Sequence, residues 1–515
     1  MMQQPITFHF DNRIVTVDDQ PITTTVLDWL RTAARRTGTK EGCAEGDCGA
    51  CTVIVAELAD EQMPDAGIRL GDLVLRPINA CIRFLPTLHG KALLTVEDLA
   101  TLTRQPLHPV QQAMVDCHGS QCGFCTPGFV MSLFATYTKH QVAHTTPDRD
   151  ALAQDLAGNL CRCTGYRPIL EAGAHMFTLP PAMLDTTPIV AALREIAAAT
   201  PAGLTYAALD QTITPARRNR FHAPRSIEAL ATLYAEHPTA TVLAGATDIG
   251  LWVNKQFRDV GDLIYLGDVA ALRRIEQDAG TLRIGAAVPL QDAWAALIGL
   301  EPALAEMALR FAGPPVRHAG TMGGNVANGS PIGDAPPVLM AMDAKLILQC
   351  GALTRTVALD AFYLDYMRND FVPGEFLRAI EVPLPDPATR MRAYKISKRL
   401  DCDISALSCG LAVTLDGDVV SHVRLAFGGM AATVRRARVA EAVLLGAPWS
   451  EVTVRAAMVA LGEDFTPLSD LRASSDYRMR VARNLLWRFW LETRTFDPLP
   501  AEAVRVRRFA VESVT

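Results

Sequence analysis

The stretch EGCAEGDCGAC, residues 41–51, places Cys43, Cys48 and Cys51 at gaps of four and then two residues, with Gly42, Gly46 and Gly49 among them. A fourth cysteine, Cys81, follows after a further 29 residues. Three thiols in a glycine-dense loop with a distant fourth is the spacing that holds a [2Fe-2S] cluster, because the glycines let the backbone wrap closely round an inorganic core and turn N–H groups toward the sulfurs. Four thiolates also hold zinc, but the glycine density and the remote fourth ligand favour iron.

Working outward, the elements beside this loop read as a small α+β unit. Residues 5–17 alternate apolar and polar and break at Asp11-Asn12, which predicts a hairpin. VLDWLRTAAR at 26–35 has helical spacing, and TVIVAEL, LVLRPI and ALLTVE at 52, 73 and 92 read as strands. Beyond residue 100 the pattern becomes helical, and four short helices predict a compact bundle. In the third of them Thr146 is placed as the N-cap, Pro147 as the first helical residue and Gly158 as the stop. The bundle carries a second constellation, Cys122-x2-Cys125 and Cys161-x-Cys163, each pair at a helix–loop junction. Four thiols at two helix ends form a second plausible [2Fe-2S] cage, with zinc as the alternative. Nine of the twelve cysteines lie in the first third of the chain; Cys117, Cys350, Cys402 and Cys409 lack ligand spacing and read as small packed side chains.

At 515 residues the chain is long enough for several cores. Its 55 acidic against 49 basic residues give a net charge of −6, and no basic block offers a nucleic-acid footprint. The N-terminus lacks a cationic region followed by an apolar run, and no stretch approaches the roughly 18 apolar residues of a membrane span. The expectation is a cytoplasmic protein without a membrane partner, in which reduced cysteines serve metal or redox chemistry rather than disulfides.

Five domain-scale segments follow: 1–95, a ferredoxin-like β-grasp with plant-type cysteine spacing; 96–177, the helical bundle; 178–223, an Ala-, Pro- and Thr-rich linker without convincing strands that carries the helix IVAALREIAAA; 224–386, an α/β ligand-binding unit; and 387–515, an α+β cap of strands followed by helices. In the second half, LAGATD reads as a glycine-bearing loop between strand and helix. TMGGNVANGSPIGD sets Gly323-Gly324 beside Asn325, Asn328 and Ser330. A lone glycine loop such as the first is more often only a turn, and the second reads equally well as an ordinary polar turn.

EGCAEGDCGACTV with Cys81, GSQCGFCTPG and GNLCRCTGYRP resemble the two iron–sulfur domains of the molybdenum hydroxylases, the family of xanthine dehydrogenases and aldehyde oxidases. VLAGATDIGLWV at 242, FAGPPVRHAGTMGGNVANGSPIGD at 311 and KISKRLDCDIS at 395 are similar to the FAD domain of bacterial members, a fold of the vanillyl-alcohol-oxidase type. The resemblance implies that Val242, Leu243, Ala244, Gly245, Ala246, Thr247, Asp248 and Ile249 cradle the FAD pyrophosphate and that Phe311 packs near the flavin. By the same match Thr321, Met322, Gly323, Gly324, Asn325 and Asp334 hold diphosphate and ribose, and Leu377 and Lys395 line the flavin side. Tyr366 and Asp401 match positions on the NAD side, and Gln121, next to Cys122, is placed to hydrogen-bond a molybdopterin. Lys398, Arg399, Asp401 and Asp403 also read as a solvated turn.

The implied function is an electron relay. Electrons enter at Cys122, Cys125, Cys161 and Cys163, pass to Cys43, Cys48, Cys51 and Cys81, and leave through FAD to NAD. The four domains account for the sequence without a molybdenum domain, so the expected partner is a separate large molybdopterin subunit in an α2β2 heterotetramer that oxidises hypoxanthine and xanthine to urate. The alternatives are the iron–sulfur/FAD subunit of another hydroxylase, acting on aldehydes or N-heterocycles, and a stand-alone iron–sulfur flavoprotein.

Overall fold

The computed structural model describes residues 4–60, 67–103, 105–211 and 213–504. The outermost parts of the first and last predicted segments, 1–3 and 505–515, therefore lie outside the described residues.

The predicted hairpin forms: Ile6–Phe10 pairs antiparallel with Arg13–Val17, and Asp11 and Asn12 both take left-handed backbone (φ 54° and 56°), the conformation a two-residue hairpin turn needs. These strands join a six-stranded mixed sheet in the order Arg13–Val17, Ile6–Phe10, Ala92–Leu94, Thr52–Leu58, Leu73–Asn79, Ile68–Leu70, with Ile6–Phe10 parallel to Ala92–Leu94. Helix Val26–Thr32 packs Trp29 edge-on against Phe8 and Phe10, with ring centroids 5.1 and 5.3 Å apart. A helix laid on a mixed sheet is the β-grasp arrangement the cysteine spacing predicts.

A single helical turn, Leu99–Leu102, leads into four longer helices, Pro109–Asp116, Thr126–Ala143, Arg149–Asp155 and Arg167–His175, which make the bundle. The second is buried without interruption from Gly128 to Thr138, so it is the hub of the bundle rather than an amphipathic surface helix. The third begins later than Thr146-Pro147 predicts. Asp148 is its N-cap, with a carboxylate oxygen accepting from the Ala151 N–H at 2.7 Å, because a charged acceptor in extended backbone outcompetes a hydroxyl two residues earlier. Asp148→Ala is expected to cost about 1 kcal/mol of stability, measured by chemical denaturation, whereas Thr146→Ala should be close to neutral.

The segment 178–223, read from sequence as a strandless linker, holds the expected helix, Thr187–Ala199, and two paired strands, Leu204–Asp210 and Arg217–Ala223. The helix buries Ile189, Val190, Leu193 and Ile196 in the core shared by the β-grasp sheet and the bundle. The second strand escaped notice because arginines 217, 218 and 220 mask an alternation in which Asn219 and Phe221 point inward. Both strands extend a four-stranded sheet with Leu263–Tyr265 and Thr241–Leu243. A five-stranded sheet in the order Ile275–Gln277, Thr281–Gly285, Glu375–Pro383, Lys345–Cys350, Leu353–Ala358 completes the ligand-binding unit.

The C-terminal unit is a four-stranded antiparallel sheet, Thr389–Ile396, Leu407–Asp416, Val419–Gly428 and Arg435–Arg436, whose core also takes in helices Arg438–Leu444, Glu451–Asp464 and Ser475–Thr493. The segment TVRRARVAEAVLLG opens with a short edge strand at Arg435–Arg436 before its helix begins at Arg438. The fold is multidomain α+β, yet its cores are not separate. One cluster of buried side chains runs from Phe8, Trp29 and Ile82 to Phe221, Leu243, Leu263 and Tyr265, joining the β-grasp to the ligand-binding unit. No helix among the described residues is long and apolar enough to cross a membrane.

Candidate functional site: two thiol clusters and a cleft

Cys43, Cys48 and Cys51 sit on the loop that feeds strand Thr52–Leu58, and Cys81 follows the neighbouring strand Leu73–Asn79. Sheet pairing brings the two together, with the Ala80 N–H donating to the Cys51 carbonyl at 3.2 Å. The thiol of Cys43 is in hydrogen-bond contact with those of Cys48 and Cys81, and Cys81 with Cys51. Backbone N–H groups of Glu45 and Cys48 point at the Cys43 sulfur at 3.5 and 3.4 Å, and the Asn79 amide at that of Cys51 at 3.9 Å. Such donors stabilise thiolate over thiol.

In the bundle, Cys125 caps helix Thr126–Ala143 and Cys122 lies three residues earlier, while Cys161 and Cys163 occupy the loop before helix Arg167–His175. The pairs are Cys122 with Cys163, both exposed, and Cys125 with Cys161. Burial, aided by the Cys161 contact, pushes the Cys125 thiol up to about 12. Burial acts on Cys161 in the same direction, but the Thr164 hydroxyl at 3.2 Å and N–H at 3.5 Å, together with Cys125, overcome it and bring that thiol down. Among the described residues no three His, Cys, Asp or Glu side chains form a group suited to one metal ion. In the bundle the two-by-two pairing of cysteines fits a dinuclear cluster, in which each iron takes two thiolates, better than a mononuclear zinc site. The unassigned cysteines divide: Cys409 is fully buried, and Cys117, Cys350 and Cys402 are half-buried.

The two thiol clusters are tied directly. The Leu160 N–H donates to the Cys48 carbonyl at 2.9 Å, one residue before Cys161. Buried Asn159 donates its amide to the Gly49 carbonyl at 3.1 Å and accepts from the Ser132 hydroxyl at 2.7 Å. Glycines close the joint: a Cβ on Gly128 would stand 2.1 Å from the Gly49 carbonyl oxygen, and one on Gly49 would stand 2.3 Å from the Gly158 carbonyl oxygen. Sequence reasoning used Gly49 only as a flexible link in its own loop; its contact with the bundle has no local signature.

A cleft of ≈ 380 Å³ opens in the ligand-binding unit. Of the residues singled out for FAD, Val242, Ala244 to Ile249, Thr321, Gly323 to Asn325 and Leu377 line it. Gly245 is obligatory by geometry, since a Cβ there would lie 2.1 Å from the Ala319 carbonyl oxygen. Gly323 serves packing rather than ligand approach, because its added Cβ would strike the Ala286 backbone at 2.4 Å. The remaining candidates lie outside the lining. Leu243 and Met322 are core residues, and Phe311 packs on Trp294 with ring centroids 5.9 Å apart. Lys395 and Asp334 form a buried ion pair bridged by Ser405, whose hydroxyl donates to Asp334 at 2.6 Å and accepts from Lys395 at 2.9 Å. Tyr366 stands 65% exposed on a hairpin, Gln121 is exposed beside Cys122, and Asp401 lies on a loop pinned by Arg310 through the Leu400 and Lys395 carbonyls. Asn328 and Trp252, both within the quoted motifs, line it too, whereas Tyr234, Phe371 and Glu375 are cleft-lining residues without a sequence signal, brought in from separate elements.

Helix Ile249–Asn254 joins cleft and thiols. Its Ile249 and Trp252 line the cleft, Gly250 packs against Ile82, and Asn254 donates to the carbonyls of Cys81 at 2.7 Å and Ala44 at 3.2 Å.

Comparison with known proteins agrees with this layout. Four domain families match in chain order: the 2Fe-2S iron-sulfur cluster binding domain over 8–83, the [2Fe-2S] binding domain over 95–174, the FAD binding domain in molybdopterin dehydrogenase over 216–385, and the CO dehydrogenase flavoprotein C-terminal domain over 392–493. The xanthine dehydrogenase of Emericella nidulans is 31% identical across 96% of this chain, and that of Drosophila subobscura 32% across 83%. The alignments take in 39% and 34% of those proteins' own lengths. Among solved structures, the carbon monoxide dehydrogenase of Hydrogenophaga pseudoflava that lacks the Mo-pyranopterin moiety of its molybdenum cofactor is 31% identical, with a TM-score of 0.50 over 52% of this chain and 94% of its own. The chain belongs to the molybdenum hydroxylase family, within which it has the fold of an iron–sulfur and FAD subunit.

The cleft depends on a contact that one methyl group would break. Gly245→Ala is expected to release flavin, seen as loss of the flavin absorption band from purified protein while the iron content stays unchanged.

Proposed function

We propose that this chain is the small, iron–sulfur and FAD subunit of a xanthine dehydrogenase. It would relay electrons from a molybdenum site on a separate large subunit through two [2Fe-2S] clusters to FAD and on to NAD during oxidation of hypoxanthine and xanthine to urate, within an α2β2 assembly in the cytoplasm. The carrying observation is the pair of ties between the three sites: Leu160, next to Cys161, bonds to Cys48, and Asn254, on the helix whose Ile249 and Trp252 line the cleft, bonds to Cys81. Iron–sulfur clusters exchange single electrons and a flavin collects two to deliver as a pair, so the order of sites makes a one-to-two electron converter.

In this reading Cys43, Cys48, Cys51 and Cys81 hold one cluster and Cys122, Cys125, Cys161 and Cys163 the other. The loop 242–249 with Thr321 and Gly323 to Asn325 holds the FAD diphosphate, Leu377 flanks the flavin, and Asp334 and Lys395 act on that side as a buried ion pair. The exposed cysteines of the bundle face the large subunit, where Gln121 meets the pterin with a neutral amide able both to donate and to accept. Gln121→Ala is expected to slow cluster reduction by the partner without changing assembly, followed by rapid-mixing absorbance; unchanged reduction removes that role. Tyr366 and Asp401 are assigned to the NAD side.

A second reading, a relay subunit for another hydroxylase substrate, is favoured by the 31% identity to the carbon monoxide dehydrogenase. Steady-state assays of the purified complex with xanthine, an aldehyde, an N-heterocycle and carbon monoxide separate the two. Xanthine-dependent NADH formation supports the first, and turnover of another substrate alone supports the second.

A further inference from the structure

Where the β-grasp sheet meets the ligand-binding unit, a small cavity of ≈ 60 Å³ is walled by Glu57, Arg76, Arg83, Lys91, Arg273 and His318. Four of these are permanent cations. Glu57 is paired with both Arg273 and Arg76, while Asp292 pairs Arg76 and Asp268 pairs Lys91. Four positive against three negative groups leave one positive charge in excess. Arg76, Arg83 and Lys91 are 7, 8 and 6% exposed, so that charge is withheld from solvent.

The unsatisfied hydrogen-bonding capacity has the same sign. The Nε–H of Arg83 finds no acceptor, that of Arg76 has only Glu57 at 3.8 Å, beyond hydrogen-bond reach, and the Nδ1 of His318 has no partner. Arg83 spends a terminal nitrogen on the Tyr265 hydroxyl at 2.8 Å, and Lys91 donates to Asp268 at 2.8 Å and the Thr87 carbonyl at 3.0 Å. Burial tends to raise the Glu57 carboxyl, yet Arg273, Lys91 and Arg76 together bring it down to about 2, and burial with Arg76 and Arg317 nearby keeps His318 neutral. A buried, uncompensated cation with idle N–H donors is costly unless an acceptor of opposite charge joins it.

We propose that this cavity is a binding site for a small monoanion of the halide or nitrate class, held by Arg76, Arg83 and His318 at the junction of the first iron–sulfur domain and the flavin domain. At ≈ 60 Å³ against ≈ 380 Å³ for the cleft, the cavity is sized for a few waters or a small anion rather than a nucleotide. Ala244 and Thr321 line both this cavity and the large cleft, so the anion would sit behind the wall that faces the flavin's diphosphate. The site is independent of the substrate oxidised by any partner.

Crystals of the purified holoprotein soaked in sodium bromide, with and without bound FAD, test this by anomalous diffraction. An anomalous peak within hydrogen-bond reach of Arg76 and Arg83 in both states is expected, together with its loss in Arg83→Gln. A cavity holding only water overturns the proposal whether or not the variant folds. A peak confined to FAD-free protein also overturns it, by assigning the cationic cavity to the flavin's own diphosphate. In solution, replacing gluconate by bromide should raise the melting temperature of the wild type and leave that of Arg83→Gln unchanged.

Discussion

Replacing Cys163 by serine is expected to remove about two of the roughly four irons that two [2Fe-2S] clusters carry per chain, and to stop electron delivery from the molybdenum partner. Cys163 is exposed and pairs with Cys122, so the substitution disturbs no packed core. Its effect falls on the donor set alone, where a hard hydroxyl replaces a soft thiolate. Changes even one layer beyond metal ligands cost about 10- to 100-fold in affinity or activity, so loss of a ligand itself should lower xanthine-dependent turnover by at least about 100-fold. The cleft is reached through Cys81 and Asn254, not through Cys163. Flavin content and NADH oxidation by artificial acceptors should therefore persist. Full iron content with unchanged turnover would remove this donor set from the relay.

Gly128→Ala should lower stability through a single methyl group added at the joint. Gly128 lies in the first turn of the buried hub helix, outside the left-handed region, so alanine is conformationally acceptable there and even favours the helix. Against that gain stands a Cβ 2.1 Å from the Gly49 carbonyl oxygen and 3.1 Å from Ala50 Cα. Both contacts are backbone and cannot swing away. Overpacking of this kind costs about 1–3 kcal/mol, which equals or exceeds the roughly 1 kcal/mol that alanine gains over glycine in a helix. The displaced loop carries Cys48 and Cys51, and the same shift pulls Gly49 from Asn159 and Cys48 from Leu160. A lower melting temperature should thus accompany a changed electron paramagnetic resonance signal from the first cluster. Wild-type values for both would show that the joint does not position the thiols.

What the sequence revealed and what it concealed separate along a physical line. Cys43, Cys48 and Cys51 were legible because a cluster's size fixes ligand spacing within one loop, and Asp11-Asn12 because a tight turn demands particular backbone angles. The pairing of Cys122 with Cys163 and Cys125 with Cys161 was legible only as two pairs, since their match depends on how the helices dock. The strand Arg217–Ala223 hid behind its arginines, and the cap of the third bundle helix lies at Asp148 rather than Thr146 because two nearby side chains compete for one role. Lys395 and Asp334, matched to the flavin by family resemblance, meet each other in the interior. The arginines at the domain junction gave no signal at all, because Arg76, Arg83 and Arg273 are brought together only by the packing of one domain on another.

The most direct measurement is anaerobic addition of xanthine to the protein purified with whatever chain accompanies it, followed by visible and electron paramagnetic resonance spectra. A co-purifying molybdenum chain, reduction of both iron–sulfur signals and of the flavin, and NADH on adding NAD are the expected result. A molybdenum-free flavoprotein whose spectra do not respond to xanthine would contradict it.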